Sequence, residues 1–174
     1  MKKLILSAIM LVGLAFSTQA QEIRKNALGL RLGSNDGFGG ELSYQRGLSD
    51  NNRLEFDLGW RNSGHYDAMK LVGLYQWVWN IDGGFNWYAG VGGGVGQWSF
   101  NDDKWNNNGN NDWDDSGTFF LVAGDIGIEY VFDIPLQLSL DVRPELSIGD
   151  SRGDFDDDFN SFGPDIALGI RFTF

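Results

Sequence analysis

The sequence predicts an all-β chain whose eight strands close into an antiparallel, up-and-down transmembrane β-barrel. Three observations carry that expectation. Apolar residues recur at every second position, the segments in which they do so number eight, and short turns alternate with longer loops between them.

The alternation is plainest at the C-terminus. Ile166, Leu168, Ile170, Phe172 and Phe174 are apolar, and Ala167, Gly169, Arg171 and Thr173 between them are small or polar. A strand sends successive side chains to opposite faces, so period two gives one apolar face. Leu136, Leu138, Leu140 and Val142 alternate in the same way with Gln137, Ser139, Asp141 and Arg143. Leu54, Phe56, Leu58 and Trp60 alternate with Glu55, Asp57, Gly59 and Arg61, and Leu28, Leu30 and Leu32 flank Gly29 and Arg31.

Turn chemistry divides the chain into segments near 26–34, 39–48, 53–63, 68–80, 85–100, 118–132, 136–149 and 164–174. The connections Ser49 to Asn52, Asn80 to Gly84 and Asp133 to Pro135 are short. Ser34 to Phe38, Gly64 to Asp67, Asn101 to Gly117 and Asp150 to Gly163 are the longer ones. A membrane-crossing strand needs about 9–11 residues, which each segment approaches or exceeds.

Two features set this pattern apart from a water-soluble barrel. The polar parity is rich in charge, which suits neither a dry core nor casual surface. It holds Arg31, Arg53, Arg61, Lys70, Arg143 and Arg171 with Glu41, Glu55, Asp57, Asp125, Glu129, Asp141, Glu145 and Asp165. Aromatic residues gather at strand ends: Tyr75, Trp77 and Trp79 precede a short turn, and Phe85 and Trp87 follow it. Phe132 precedes the next short turn, and Phe172 and Phe174 end the chain. An interfacial girdle requires that placement.

The N-terminus is an export segment. Met1, Lys2 and Lys3 are a basic start, Leu4 to Phe16 is apolar, and Thr18-Gln19-Ala20 offers small residues to a signal peptidase. The apolar run is shorter than the roughly 20 residues of a spanning helix. Residues 1–20 are therefore read as a cleaved signal peptide and 21–174 as the barrel domain. Loss of Lys2 and Lys3 leaves 11 basic residues against 24 acidic ones, a mature charge of −13.

Composition excludes several function classes. The chain of 174 residues is one domain in size, and its net charge of −11 argues against a nucleic-acid partner. It has no Cys and one His, His65, so disulfides, thiolate sites and His-cluster metal sites are excluded. No cofactor is implied.

The export segment ending at Ala20, the eight alternating segments and the closing strand Ile166–Phe174 together resemble the small eight-stranded outer-membrane barrels of Gram-negative bacteria. The resemblance is to the OmpX and OmpA-transmembrane-domain type. It implies the outer membrane as location and its lipid and lipopolysaccharide as surroundings. It also implies that the outer-membrane assembly machinery reads the final strand through Phe174. That family includes adhesins, structural barrels, small channels and lipid-modifying enzymes, so the resemblance is specific for fold and poor for activity. Pro144 departs from the pattern, since Pro forfeits a ladder hydrogen bond; a bulge or the membrane's upper edge is expected there.

With the apolar parity toward lipid, the charged parity faces the lumen, and eight strands leave room inside for side chains and little else. A salt-bridged plug without a pore is expected, with a small-solute channel as the alternative. Gly90, Gly92, Gly94 and Gly96 share one parity. They lack the helix and Lys-Ser/Thr of a phosphate loop, and are expected to make room for larger side chains opposite.

Two acidic stretches fall at the long-loop end. One holds Asp102, Asp103, Asp112, Asp114 and Asp115 among many Asn; the other holds Asp150, Asp154, Asp156, Asp157 and Asp158. Clustered carboxylates with Asn carbonyls suit a hard cation such as Ca²⁺, but the spacing is not that of an EF-hand. A solvated acidic surface is the reading adopted. Arg152-Gly153-Asp154 matches an integrin-binding tripeptide that arises readily by chance.

A third reading, a lipid A-modifying hydrolase, rests on Ser63, His65 and Asp67, placed on the lumen parity at a loop end. A hydroxyl needs a base to become a nucleophile, and His65 is the one His in the chain. A rim His bonded to loop backbone is the plainer account. The expected function is therefore non-enzymatic: envelope structure or surface interaction, with acidic loops toward the medium.

Overall fold

The computed structural model describes residues 23–33, 39–63, 66–100, 116–149 and 162–174. They form β1 (Asn26–Gly33), β2 (Glu41–Ser49), β3 (Asn52–Ser63), β4 (Tyr66–Asp82), β5 (Phe85–Phe100), β6 (Ser116–Val131), β7 (Leu136–Gly149) and β8 (Phe162–Thr173). Each strand pairs antiparallel with its neighbours in sequence, and β1 pairs with β8 to close the barrel. At the seam the Asn26 N–H donates to the Phe174 carbonyl at 3.0 Å, and the Phe174 N–H donates back to Asn26 at 2.9 Å.

The stagger of the strands can be followed through paired residues once round the barrel. From Leu146 the path runs through Val122, Gly93, Gly73, Phe56, Tyr44, Leu28 and Phe172, and it re-enters β7 at Leu136, ten residues away. At about 3.3 Å per residue and about 4.8 Å between strands, that offset inclines the strands by about 40°. The 12-residue strands β3 and β8 then rise about 30 Å along the axis, enough for the apolar band of about 25 Å that a spanning barrel carries.

Burial alternates along the strands with the apolar parity outward. Leu28, Leu30, Phe56, Trp60, Ile126, Leu168, Ile170 and Phe172 are among the exposed large apolar residues. Aromatic rings gather at the short-turn end. Trp79 stacks on Trp87 with centroids 4.2 Å apart, and Tyr130 meets both Phe85 (4.5 Å) and Phe132 (4.6 Å) edge-on. At the other end of β5 and β6 the outward parity changes character: Val95 and Phe120 are exposed and apolar, whereas Gln97 and Thr118 next along are exposed and polar. The apolar belt ends between them.

Several boundaries differ from the sequence reading. The loop expected over Gly64–Asp67 contracts to residues 64–65, because Tyr66 and Asp67 pair with β3 on one side and β5 on the other. Small and polar residues marked this stretch as loop, but ladder partners on both sides extend β4 through it. Likewise β6 starts at Ser116 and β8 at Phe162, while β2 begins only at Glu41. The β4–β5 turn keeps Gly83 in a left-handed conformation, φ 51°, with the Asn80 side-chain amide donating to the Gly83 carbonyl at 2.9 Å.

Pro144 interrupts a ladder without shifting it. The β6–β7 pairing stops at Ala123–Glu145 and resumes at Ile126–Val142 in the same register, so no extra residue is inserted. Pro144 faces Pro164 across β7–β8.

Candidate functional site: the barrel interior

The inward parity of β1, β2, β3, β4, β6, β7 and β8 brings charged residues from distant parts of the chain together. Arg31, Arg53, Lys70, Arg143 and Arg171 are buried, as are Glu41, Glu55, Asp57, Asp125, Glu129, Asp141, Glu145 and Asp165. Arg31 reaches Asp141 and Asp165 at 2.6 Å each and Glu41 at 3.0 Å. Arg143 pairs with Asp57, with Glu41 at 3.2 Å and with Glu55 at 3.6 Å. Lys70 lies 3.2 Å from both Glu41 and Glu145. Arg171 donates to Glu55 at 2.7 Å and to the Ser43 and Ser139 hydroxyls at 2.9 and 2.8 Å. Taking a charge out of water costs several kcal/mol unless partners replace the lost hydration, and these carboxylates supply that replacement.

Toward the short turns the network becomes rich in carboxamides. Arg53 donates to Glu129 and Gln76 at 2.6 Å each, and its guanidinium carbon lies 4.7 Å from the Tyr88 ring centroid. Gln137 donates to Glu129 at 2.8 Å and to Gln45 at 3.0 Å, while Gln45 donates to Glu55 at 2.7 Å. Asp125 accepts from Gln76.

The side of the interior between β4 and β6 is apolar, which the sequence reading missed. Val72, Leu74, Leu121 and Ala123 form a buried cluster with Phe119 packed against it. The available signal was a stretch apolar on both parities, Leu71-Val72-Gly73-Leu74-Tyr75, facing another at Phe119–Ala123. Between them run the β5 glycines. A Cβ on Gly96 would strike the Phe119 ring, and one on Gly90 would lie 2.8 Å from the Gln76 Cγ. Gly90 and Gly96 thus leave room for larger side chains, whereas at Gly92 and Gly94 a Cβ would meet the backbone carbonyls of Gly73 and Leu71 on β4. Gly96→Val is expected to lower stability by about 1–3 kcal/mol through overpacking, read from the urea midpoint of the refolded barrel.

The residues proposed for hydrolysis do not assemble on one face. Ser63 pairs directly with Tyr66, so the β3 parity that carries Ser63 continues on the even-numbered residues of β4. Lys70, Val72, Leu74, Gln76 and Val78 are accordingly buried. Asp67 therefore lies on the outward parity, opposite Asn62 and Ser99. Assigning it to the lumen with Ser63 and His65 was wrong, because an even-length connection exchanges odd for even positions. His65 lies outside the described residues. So do Asp102, Asp103, Asp112, Asp114, Asp115, Asp150, Arg152, Asp154, Asp156, Asp157 and Asp158.

No family model and no curated protein matches the chain. Solved structures do. Neisserial surface protein A shares 12% identity and a TM-score of 0.56, over 86% of this chain and 94% of that one. The N-terminal β-barrel domain of Pseudomonas aeruginosa OprF gives 14% and 0.55, over 86% and 95%. Ail, the attachment invasion locus protein of Yersinia pestis, gives 14% and 0.52, over 87% and 100%.

The fold is that of the small eight-stranded outer-membrane barrels. At such low identity the likeness concerns the backbone alone.

Proposed function

We propose that the chain is exported with loss of residues 1–20 and inserted in the outer membrane of a Gram-negative bacterium. There it serves envelope structure or surface interaction, without enzymatic activity. The observation that carries this reading is the inside-out distribution of side chains. Leu168 is 61% exposed and Phe120 63%, whereas Arg31 and Arg143 are 0% exposed. In water such a belt would exceed the few hundred Å² of contiguous apolar surface that soluble monomers tolerate, while in lipid it costs nothing. The long connections 101–115 and 150–161 leave the barrel at the end opposite the aromatic girdle, the end that faces the medium in this architecture. Their acidic character makes them the surface offered to an external partner. Phe174, exposed at the end of the closing strand, is the element for the assembly machinery.

The lumen reading is a closed plug. The ion pairs of Arg31, Arg143, Lys70 and Arg171 link β1, β2, β3, β4, β7 and β8 across the interior, and an eight-stranded barrel has little further space. The mature chain, refolded into lipid vesicles, is expected to resist carbonate extraction and to stay silent in planar-bilayer recordings. Stable, ion-selective openings would replace the plug with a channel. Extraction by carbonate would overturn the membrane reading itself.

A further inference from the structure

Three exposed cations, Arg24, Lys25 and Arg46, share one corner of the barrel at the short-turn end. Arg24 and Lys25 immediately precede β1, and Arg46 lies near the end of β2. The Gly47 N–H donates to the Lys25 carbonyl at 3.0 Å, and Asn26 pairs with Arg46, so the two stretches run side by side. Resting on the membrane reading above, we propose that this corner binds the phosphate of an anionic phospholipid in the leaflet at the short-turn end.

Arg46 carries most of the argument. It shares the outward parity of β2 with Leu42, Tyr44 and Leu48, so it faces lipid and not the lumen. Its Nη1 donates to Asn26 Oδ1 at 2.7 Å, and the Tyr44 hydroxyl donates to the same oxygen at 3.0 Å. That anchor holds the guanidinium by one nitrogen. Nε and Nη2 meet no acceptor among the described residues. These two N–H groups form one edge of the planar fork, and a phosphate accepts such an edge through two parallel hydrogen bonds.

The depth is that of a headgroup. Arg46 stands three residues from the end of β2 at Ser49, about 8 Å along the axis at the strand inclination given above. Across the strands it lies between two rings of the aromatic girdle, Phe174 by way of Asn26 and Tyr75 by way of Leu54. A guanidinium on a long stem reaches the interface from such a position. The acyl chains of the same lipid would lie along Leu28 and Leu42, exposed farther up the wall. The exposed acids of this end, Asp50, Asp82 and Asp133, stand one at each short turn, nearer the water. Three neighbouring cations disfavour a headgroup that brings its own ammonium, so the occupant carries net negative charge.

The test places the ¹⁵N-labelled mature barrel in phosphatidylcholine nanodiscs with rising fractions of phosphatidylglycerol. NMR follows the Asn26 side-chain amide and the Arg46 Nε–H. Both signals should shift saturably with phosphatidylglycerol, and less at high salt. Arg46→Gln should weaken the response at Asn26 about tenfold, the loss of one charge-assisted contact. Arg24→Gln combined with Lys25→Gln, outside the strands, should weaken it about fivefold for each charge removed. An unchanged amide spectrum of the lumen establishes the fold of each variant. Phosphatidylglycerol that moves neither signal, or moves Asn26 equally in parent and variants, would overturn the proposal. So would inorganic phosphate that reproduces the shifts in discs of phosphatidylcholine alone. A chain that does not enter the discs would overturn the membrane reading as well.

Discussion

Arg143→Met is expected to destabilise the barrel by about 3–5 kcal/mol, the loss typical of removing one partner from a buried ion pair. Arg143 is fully buried, and its guanidinium faces Asp57, Glu41 and Glu55 from three directions. Methionine fills much of the volume but leaves these carboxylates with one fewer cation in a setting that already holds eight buried carboxylates against five buried cations among the described residues. Glu41 retains Arg31 and Lys70, and Glu55 retains Arg171, but among the described residues no other cation is paired with Asp57. The double variant Arg143→Met/Asp57→Leu should therefore recover a large part of the loss, because it removes the stranded charge along with its partner. Urea unfolding of the refolded protein reads both values. A single-variant loss below about 1 kcal/mol would mean that water reaches this part of the lumen and that the plug is looser than the ion pairs indicate.

Leu168→Arg tests the opposite face. Leu168 is 61% exposed, pairs with Leu32 and Leu140, and stands amid an unbroken apolar belt. A guanidinium at mid-bilayer on a barrel exterior costs about 2–4 kcal/mol, falling toward zero at the interfaces. The expected result is a loss of that size for protein folded in lipid vesicles. Phe174→Arg, at the turn-end rim, should cost far less. If the two substitutions cost the same, the belt is not a depth-graded lipid contact. The pair of faces makes a joint prediction: removing a charge inside and adding one outside both destabilise, the reverse of a water-soluble barrel's response.

The family of small barrels with this backbone is compatible with very different surfaces, and the likeness at 12–14% identity leaves activity to the side chains. For this chain the distinctive features are the dense ion-pair cluster on one side of the lumen and the glycine-lined apolar cluster on the other.

Strand number, strand direction and the sense of the two faces were legible in the sequence, because they follow from local alternation. Ile166 to Phe174 read as a strand with one apolar face without reference to any other part of the chain. The aromatic residues beside the short turns were legible for the same reason, although Tyr130, which joins Phe85 to Phe132, was not among them. The parity of Asp67 was misread by carrying the odd positions of β3 straight across the connection, whereas any even number of connecting residues hands the inward face to the even positions of β4. Val72 and Leu74 share the parity of Lys70 and Gln76, so alternation turns them inward, but that the lumen there is apolar emerges only when β6 brings Leu121 and Ala123 against them. Which cation meets which carboxylate is still less local. Arg31 and Asp141 are 110 positions apart, and they meet only because the strands are staggered by ten residues around the closed barrel. Alternation is a property of one strand, whereas stagger is set by all eight pairings at once, so the sequence by itself determined the wall and the tertiary structure decided what faces what inside it.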